Sequence, residues 1–139
     1  MSHQLYQHQI KQLAAEADFL IRLDSPNLIA RLDTPLCGDE VLVEFKVSPE
    51  GYINEAGYEV SGCLLCRASL SLLNHFALGK SQFDIAQVTA NLESMLTHRT
   101  IMQADYEIDL NCFIPAQKYS ARHDCVLLPF RAALAALGR

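Results

Sequence analysis

Val41-Leu42-Val43-Glu44-Phe45-Lys46-Val47, then Ser48-Pro49-Glu50-Gly51, then residues 52–61, decide the fold of this chain. From Val43 onward the first run alternates apolar and polar, as a half-buried strand does. Proline second and glycine fourth in the next four residues suit a type I turn. Residues 52–61 supply the return strand, with an irregularity expected at Gly57. Upstream, residues 28–32 form a short strand closed by Asp33-Thr34-Pro35, so three strands read as an antiparallel meander. Before them, Leu5, Ile10, Leu13, Ala17 and Leu20 recur at helical spacing and predict an amphipathic helix over residues 4–23, with Pro26 beyond its end.

After Gly62 the pattern turns helical. Residues 64–78 are apolar on most sides, which predicts a buried central helix ended by Gly79. Ser81-Gln82-Phe83-Asp84 opens the next helix with a capping-box pattern, and Ile85, Val88, Leu92 and Met95 share one face. Residues 99–121 are the least legible: Tyr106, Leu110 and Phe113 suggest one short helix that Pro115 interrupts. A last helix spans residues 129–137, with Pro129 in its first turn. Strands first and helices afterwards predict an α+β fold, a three-stranded antiparallel sheet with helices packed on one face.

With 139 residues, half of them hydrophobic and 19% charged, the chain has enough apolar side chain for one packed domain. Its net charge of −5 argues against a broad nucleic-acid-binding surface. No apolar run approaches the ~20 residues of a membrane span. The start Met1-Ser2-His3-Gln4 lacks the features of a signal peptide, so a soluble, cytoplasmic protein is expected.

Five cysteines, an odd number without a secretory signal, make a poor disulfide framework. Cys112, in Leu110-Asn111-Cys112-Phe113-Ile114, reads as a core residue. Cys37 instead lies in Asp33-Thr34-Pro35-Leu36-Cys37-Gly38-Asp39, where proline and glycine make a turn that lets a thiolate at 37 and a carboxylate at 39 address one centre. Cys63 follows Ser61-Gly62 at a strand-to-helix junction, where unpaired N–H groups favour a thiolate. Cys125 follows Arg122-His123-Asp124, just ahead of the expected last helix. Cys37, Asp39, Cys63 and Cys125 thus offer four ligands of types that zinc accepts, and thiolates also hold iron–sulfur clusters. Such an anionic set needs a nearby cation, for which Arg122 is the candidate, while His123 reads as solvent-facing. The spacing matches no local zinc-finger pattern, so the residues alone leave a metal site and ordinary buried thiols both open.

The turn around Cys37-Gly38-Asp39, Ser61-Gly62-Cys63 with Ala68-Ser69, Gly79-Lys80-Ser81, and Arg122 three residues before Cys125 together resemble the U-type iron–sulfur assembly proteins. These comprise the NifU N-terminal domain, IscU and SufU, and the likeness runs from about Leu5 to the C-terminus. The long stretch between Ser81 and Cys125, Arg122, and Asp124 where IscU-like proteins carry histidine put the chain nearer SufU. The resemblance implies that Cys37, Asp39, Cys63 and Cys125 hold zinc or a nascent [2Fe-2S] cluster. It also implies a cysteine desulfurase that delivers persulfide sulfur to Cys37 or Cys125, and recipient apoproteins downstream. As an enzyme the protein is then at most a sulfurtransferase-type acceptor. Two departures stand out. An Asn-Pro-Arg-Asn segment common in SufU-like proteins is replaced by Phe19-Leu20-Ile21-Arg22-Leu23-Asp24-Ser25-Pro26, which points to a divergent docking surface, and Cys66 is an addition.

Two further classes compete. Cys63-Leu64-Leu65-Cys66 is a C-x-x-C at a helix start, the position of a thiol–disulfide redox pair. Against it, the chain lacks the alternating βαβ pattern, and Cys66 one turn into a buried helix reads as core. The other class is a degenerate family member that binds a partner and handles neither sulfur nor metal. All four ligand positions are filled, which argues against it.

Overall fold

The computed structural model describes residues 3–35 and 37–138. The start Met1-Ser2 and the turn residue Leu36, both used in reading the sequence, lie outside the described residues, as does Arg139.

The order is α1 (His3–Glu16), β1 (Leu28–Thr34), β2 (Asp39–Val47), β3 (Ile53–Ser61), α2 (Leu64–Ala77), α3 (Gln82–His98) and α4 (Ser120–Ala136). Short 3-10 helices cover Ala17–Phe19 and Leu110–Ala116. The strands form one antiparallel sheet in the order β1-β2-β3, as the alternation predicts. Val41, Val43 and Phe45 of the central strand are fully buried on the face that meets the helices. Burying each is worth about 1.5–3 kcal/mol relative to exposure. The Ser48–Gly51 turn closes as expected, the Gly51 N–H donating to the Ser48 carbonyl at 2.9 Å.

Helix α2 runs through the centre, buried from Ala68 to Leu73. Its small hydroxyls fasten it to both neighbours: Ser71 donates to the Leu13 carbonyl of α1 at 2.6 Å, and Ser69 donates to the Val126 carbonyl of α4. Gly79 follows α2 at φ +82, the left-handed conformation expected of a terminating glycine. The capping box of α3 is present, with the Ser81 N–H donating to the Asp84 carboxylate at 2.9 Å and the Asp84 N–H donating to Ser81 Oγ at 3.4 Å.

Four boundaries differ from the sequence reading. The first helix ends at Glu16, with a 3-10 turn to Phe19, and does not continue to residue 23. Residues beyond it are pulled onto the sheet instead: the Ile21 carbonyl accepts the Tyr58 N–H at 2.9 Å and the Leu23 N–H donates to Glu44 at 2.9 Å. Gly57 makes this possible, because a Cβ there would lie 2.6 Å from the Leu23 nitrogen. The irregularity of the sheet falls between Lys46 and Val47, while Gly57 pairs in register with Glu44. Strands β1 and β2 extend to Thr34 and Asp39, which pair across the Cys37 turn. The last helix begins at Ser120, so Pro129 lies inside it and Cys125 in its second turn, not ahead of it. Pro129 offers no N–H to the Cys125 carbonyl. Burial of every residue from Cys125 to Phe130 carries the helix through that gap. In the segment before it, only Leu110–Ala116 is helical, as a 3-10 helix that contains Pro115.

Candidate metal centre

The β1–β2 hairpin presents Cys37 at its tip, where the Gly38 N–H donates to the Thr34 carbonyl at 2.8 Å. Asp39, the first residue of β2, points inward and is 2% exposed. Cys63 caps the start of α2. Cys125 reaches the same place from α4, 1% exposed. Three separated segments therefore converge: Cys37, Asp39 and Cys125 form one close group, and Cys63 joins it through Asp39.

Their contacts are specific. One Asp39 oxygen, Oδ1, accepts the Cys63 N–H at 2.9 Å, and Oδ2 lies 3.4 Å from the Cys63 thiol. Cys125 Sγ stands 3.3 Å from Cys37 Sγ. Ligand atoms of Cys37, Asp39 and Cys125 all lie within 4.8 Å of one another. Donors ~2.3 Å from a tetrahedral ion would sit about 3.8 Å apart, so this spacing fits zinc. The donor chemistry fits too. A buried carboxylate faces thiols with no arginine, lysine or histidine paired to it among the described residues, and a metal cation would supply the missing positive charge. Burial, then contact with Cys37, Asp39 and Cys63, pushes the Cys125 thiol well above the usual cysteine range.

Exposure grades the set: Cys37 is exposed, Cys63 half-buried and Cys125 buried. Cys66, one turn on from Cys63, is 0% exposed, and burial pushes its thiol strongly upward. Cys112 is core, as expected, its thiol pushed up to about 12 by burial first and by Asp109 second. Arg122 is exposed and lines a groove with Lys11, Leu64, Leu65 and Tyr119. His123 is half-buried and not solvent-facing, its Nε2 2.8 Å from the Gln117 carbonyl.

Two residues have contacts here that the sequence does not reveal. Gly62 lies directly under Asp39, and Arg131 neutralises Asp124 at 3.0 Å while reaching Glu93 at 3.5 Å. The glycine before Cys63 is visible, but nothing local reveals what it faces. Arg131 lies seven residues after Asp124 and pairs with it through α4's geometry.

The family model described as NifU-like N terminal domain matches residues 21–124. The chain belongs to this family of U-type proteins. The match contains Cys37, Asp39 and Cys63 and ends one residue before Cys125. Among curated members, the iron–sulfur cluster assembly scaffold protein IscU of Thermotoga maritima is 25% identical over 133 residues, 96% of this chain and 92% of that one. The Escherichia coli protein of the same name is 39% identical over 59 residues, 42% of this chain and 45% of its own. A NifU-like N-terminal structure from Brucella abortus superposes with TM-score 0.85 at 26% identity, covering 93% of this chain and 89% of that one. A putative scaffold protein for the SUF system from Fervidobacterium islandicum has the same fold, with TM-score 0.85, 23% identity and 99% of both chains covered. These structures agree with the three-stranded sheet and surrounding helices of this family member.

Proposed function

We propose that this protein serves iron–sulfur cluster assembly, using Cys37, Asp39, Cys63 and Cys125 to hold zinc or a nascent [2Fe-2S] cluster and Cys37 to accept sulfur. The observation that carries this reading is the convergence of Cys37, Asp39 and Cys125, with Asp39 anchored on the Cys63 amide at 2.9 Å. The named relatives are scaffold proteins for the same task.

Cys37 and Cys125 are the two candidate acceptors, and exposure favours Cys37. Bound zinc would hold the thiols of the site deprotonated near neutral pH. The Cys37 thiolate attacks the outer sulfur of a desulfurase persulfide, the sulfur–sulfur bond of the donor breaks, and the donor cysteine leaves as thiolate. Cys37 then carries the persulfide, with no net oxidation. Asp39, the hardest donor of the set, is the ligand suited to yield when sulfur arrives, and its bond to the Cys63 amide keeps it in place meanwhile.

The partners of this reading are a cysteine desulfurase and recipient apoproteins, in the cytoplasm. Neither nucleic acid nor a membrane is assigned: the net charge is −5, and among the described residues no helix is long and apolar enough to cross a membrane. Arg122 and the long α3-to-α4 stretch support a place nearer SufU. The thiol–disulfide reading is disfavoured because Cys66 is fully buried.

Elemental analysis of untagged protein beside Cys37→Ser tests the proposal. One zinc per chain, lost or weakened in the variant, supports a zinc-dependent sulfur acceptor, and iron with matching acid-labile sulfide supports a scaffold. Absence of both from anaerobically prepared wild type overturns the metal-site reading.

A further inference from the structure

Cys37 also borders a cavity of about 480 Å³ between the β1–β2 hairpin and α4. That volume falls within the range of ~300–1,000 Å³ typical of small-molecule sites. Its charged walls are Arg31, Asp33, Glu40, Asp124 and Arg131. Arg31 faces Glu40 at 3.4 Å, and Arg131 faces Asp124 at 3.0 Å and Glu93 at 3.5 Å. Each arginine has five N–H donors in a planar fork, more than these pairs use. Thr34 stands in the same wall, 7% exposed, and its buried hydroxyl has no hydrogen-bond partner among the described residues.

The charges restrict the ligand. Three carboxylates repel a polyphosphate, and two guanidinium groups repel a simple cation. A zwitterion satisfies both signs, its carboxylate on an arginine fork and its ammonium against a wall carboxylate. Cys37 supplies the cavity's one thiol among the described lining residues, so a ligand that reacts there meets sulfur.

We propose that this cavity binds a small zwitterionic amino-acid thiol, free cysteine being the simplest, with its sulfur presented to Cys37. The chemical step rests on the reading of Cys37 as a persulfide carrier. The ligand thiolate attacks the outer sulfur of the Cys37 persulfide, and a new sulfur–sulfur bond forms on the ligand. The bond from Cys37 Sγ to the outer sulfur breaks, and its electron pair returns to Cys37 as thiolate. The ligand leaves as a persulfide, with no change in net oxidation state.

Binding and transfer are tested separately. Calorimetry with S-methyl-L-cysteine, a zwitterion that cannot react, should show saturable binding to the wild type that weakens at least about tenfold in Arg31→Gln and Arg131→Gln. Unchanged metal content in these variants reports an intact centre. In the second measurement, Cys37 is loaded with persulfide from polysulfide, and small-molecule persulfide is counted after adding L-cysteine, cysteamine or 3-mercaptopropionate. L-cysteine should react about tenfold faster than the two singly charged thiols, and the preference should vanish in both arginine variants. No binding, or equal binding in wild type and both variants, overturns the site. Binding that depends on the arginines, with no persulfide ever carried by Cys37, supports the site and overturns the sulfur-accepting reading on which the transfer step rests.

Discussion

The carboxylate of Asp39 occupies the space where a side chain on Gly62 would stand: a Cβ at 62 would lie 2.9 Å from Asp39 Oδ1. That same oxygen accepts the Cys63 N–H at 2.9 Å. The absence of a side chain at 62 is therefore what lets a buried carboxylate lean across the strand-to-helix junction and share a centre with three thiols. Gly62→Ala should push Asp39 aside and weaken zinc binding at least about tenfold, and should cost the metal-free protein about 1–3 kcal/mol, because the displaced carboxylate no longer accepts the Cys63 N–H. Competition with a chromophoric chelator reads this directly, and wild-type affinity in the variant would show that Asp39 is not held there.

Asp39 has two separable roles, charge and acceptor. Asp39→Asn keeps an oxygen for the Cys63 N–H and removes the charge, whereas Asp39→Ala leaves that N–H without its partner. In the metal-free protein, Asp39→Ala should lose about 1–3 kcal/mol in urea unfolding and Asp39→Asn less. Both should change the rate at which metal is released to a chelator. Identical release rates in wild type and both variants would remove Asp39 from the ligand set.

Glu44 is a buried carboxylate on the other face of the sheet, 1% exposed, held by Arg22 at 2.9 Å and by the Leu23 N–H at 2.9 Å. Its bond to Arg22 outweighs desolvation and lowers its pKa below the usual 4.5. A carboxyl that is more acidic folded than unfolded contributes stability above its unfolded pKa, and loses that contribution as pH falls through its folded value. Glu44→Gln should therefore cost about 1.5–3 kcal/mol at neutral pH and flatten the acid limb below about pH 4. Equal pH slopes in wild type and variant would remove Glu44 as its source.

Thiol labelling of the metal-free folded protein should follow exposure. Cys37 reacts first and Cys63 more slowly, while Cys66 and Cys112 wait for unfolding because both are 0% exposed with raised pKa values. Mass spectrometry of time points orders them. Early modification of Cys66 would revive the Cys63–Cys66 redox pair.

Local chemistry makes much of this fold legible in the chain itself. Alternation in residues 43–47 marks the central strand, Pro49 and Gly51 its turn, Ser81 and Asp84 a helix start, and Gly79 a helix end. Each signal acts within a few residues, through backbone preference or a side chain bonding its own turn. The turn at Cys37 and the junction at Cys63 are readable for the same reason. The helix reading of residues 17–23 fails because amphipathic spacing continues there, while Glu44 and the space above Gly57 draw that segment onto the sheet. Pro129 suggests a helix start for a sound local reason, but the apolar residues on both sides gain more from burial than one missing hydrogen bond costs.

By itself, then, the sequence determined the element types, the turns and which four residues to propose as donors, because these rest on interactions between near neighbours. Tertiary structure alone decided that Cys37 lies 3.3 Å from Cys125 across 88 positions of chain and that Asp39 rests over Gly62. The first depends on how α4 docks against the β1–β2 hairpin, set by the burial of many side chains at once, and the second on the pairing of β2 with β3, which places Ser61 opposite Glu40.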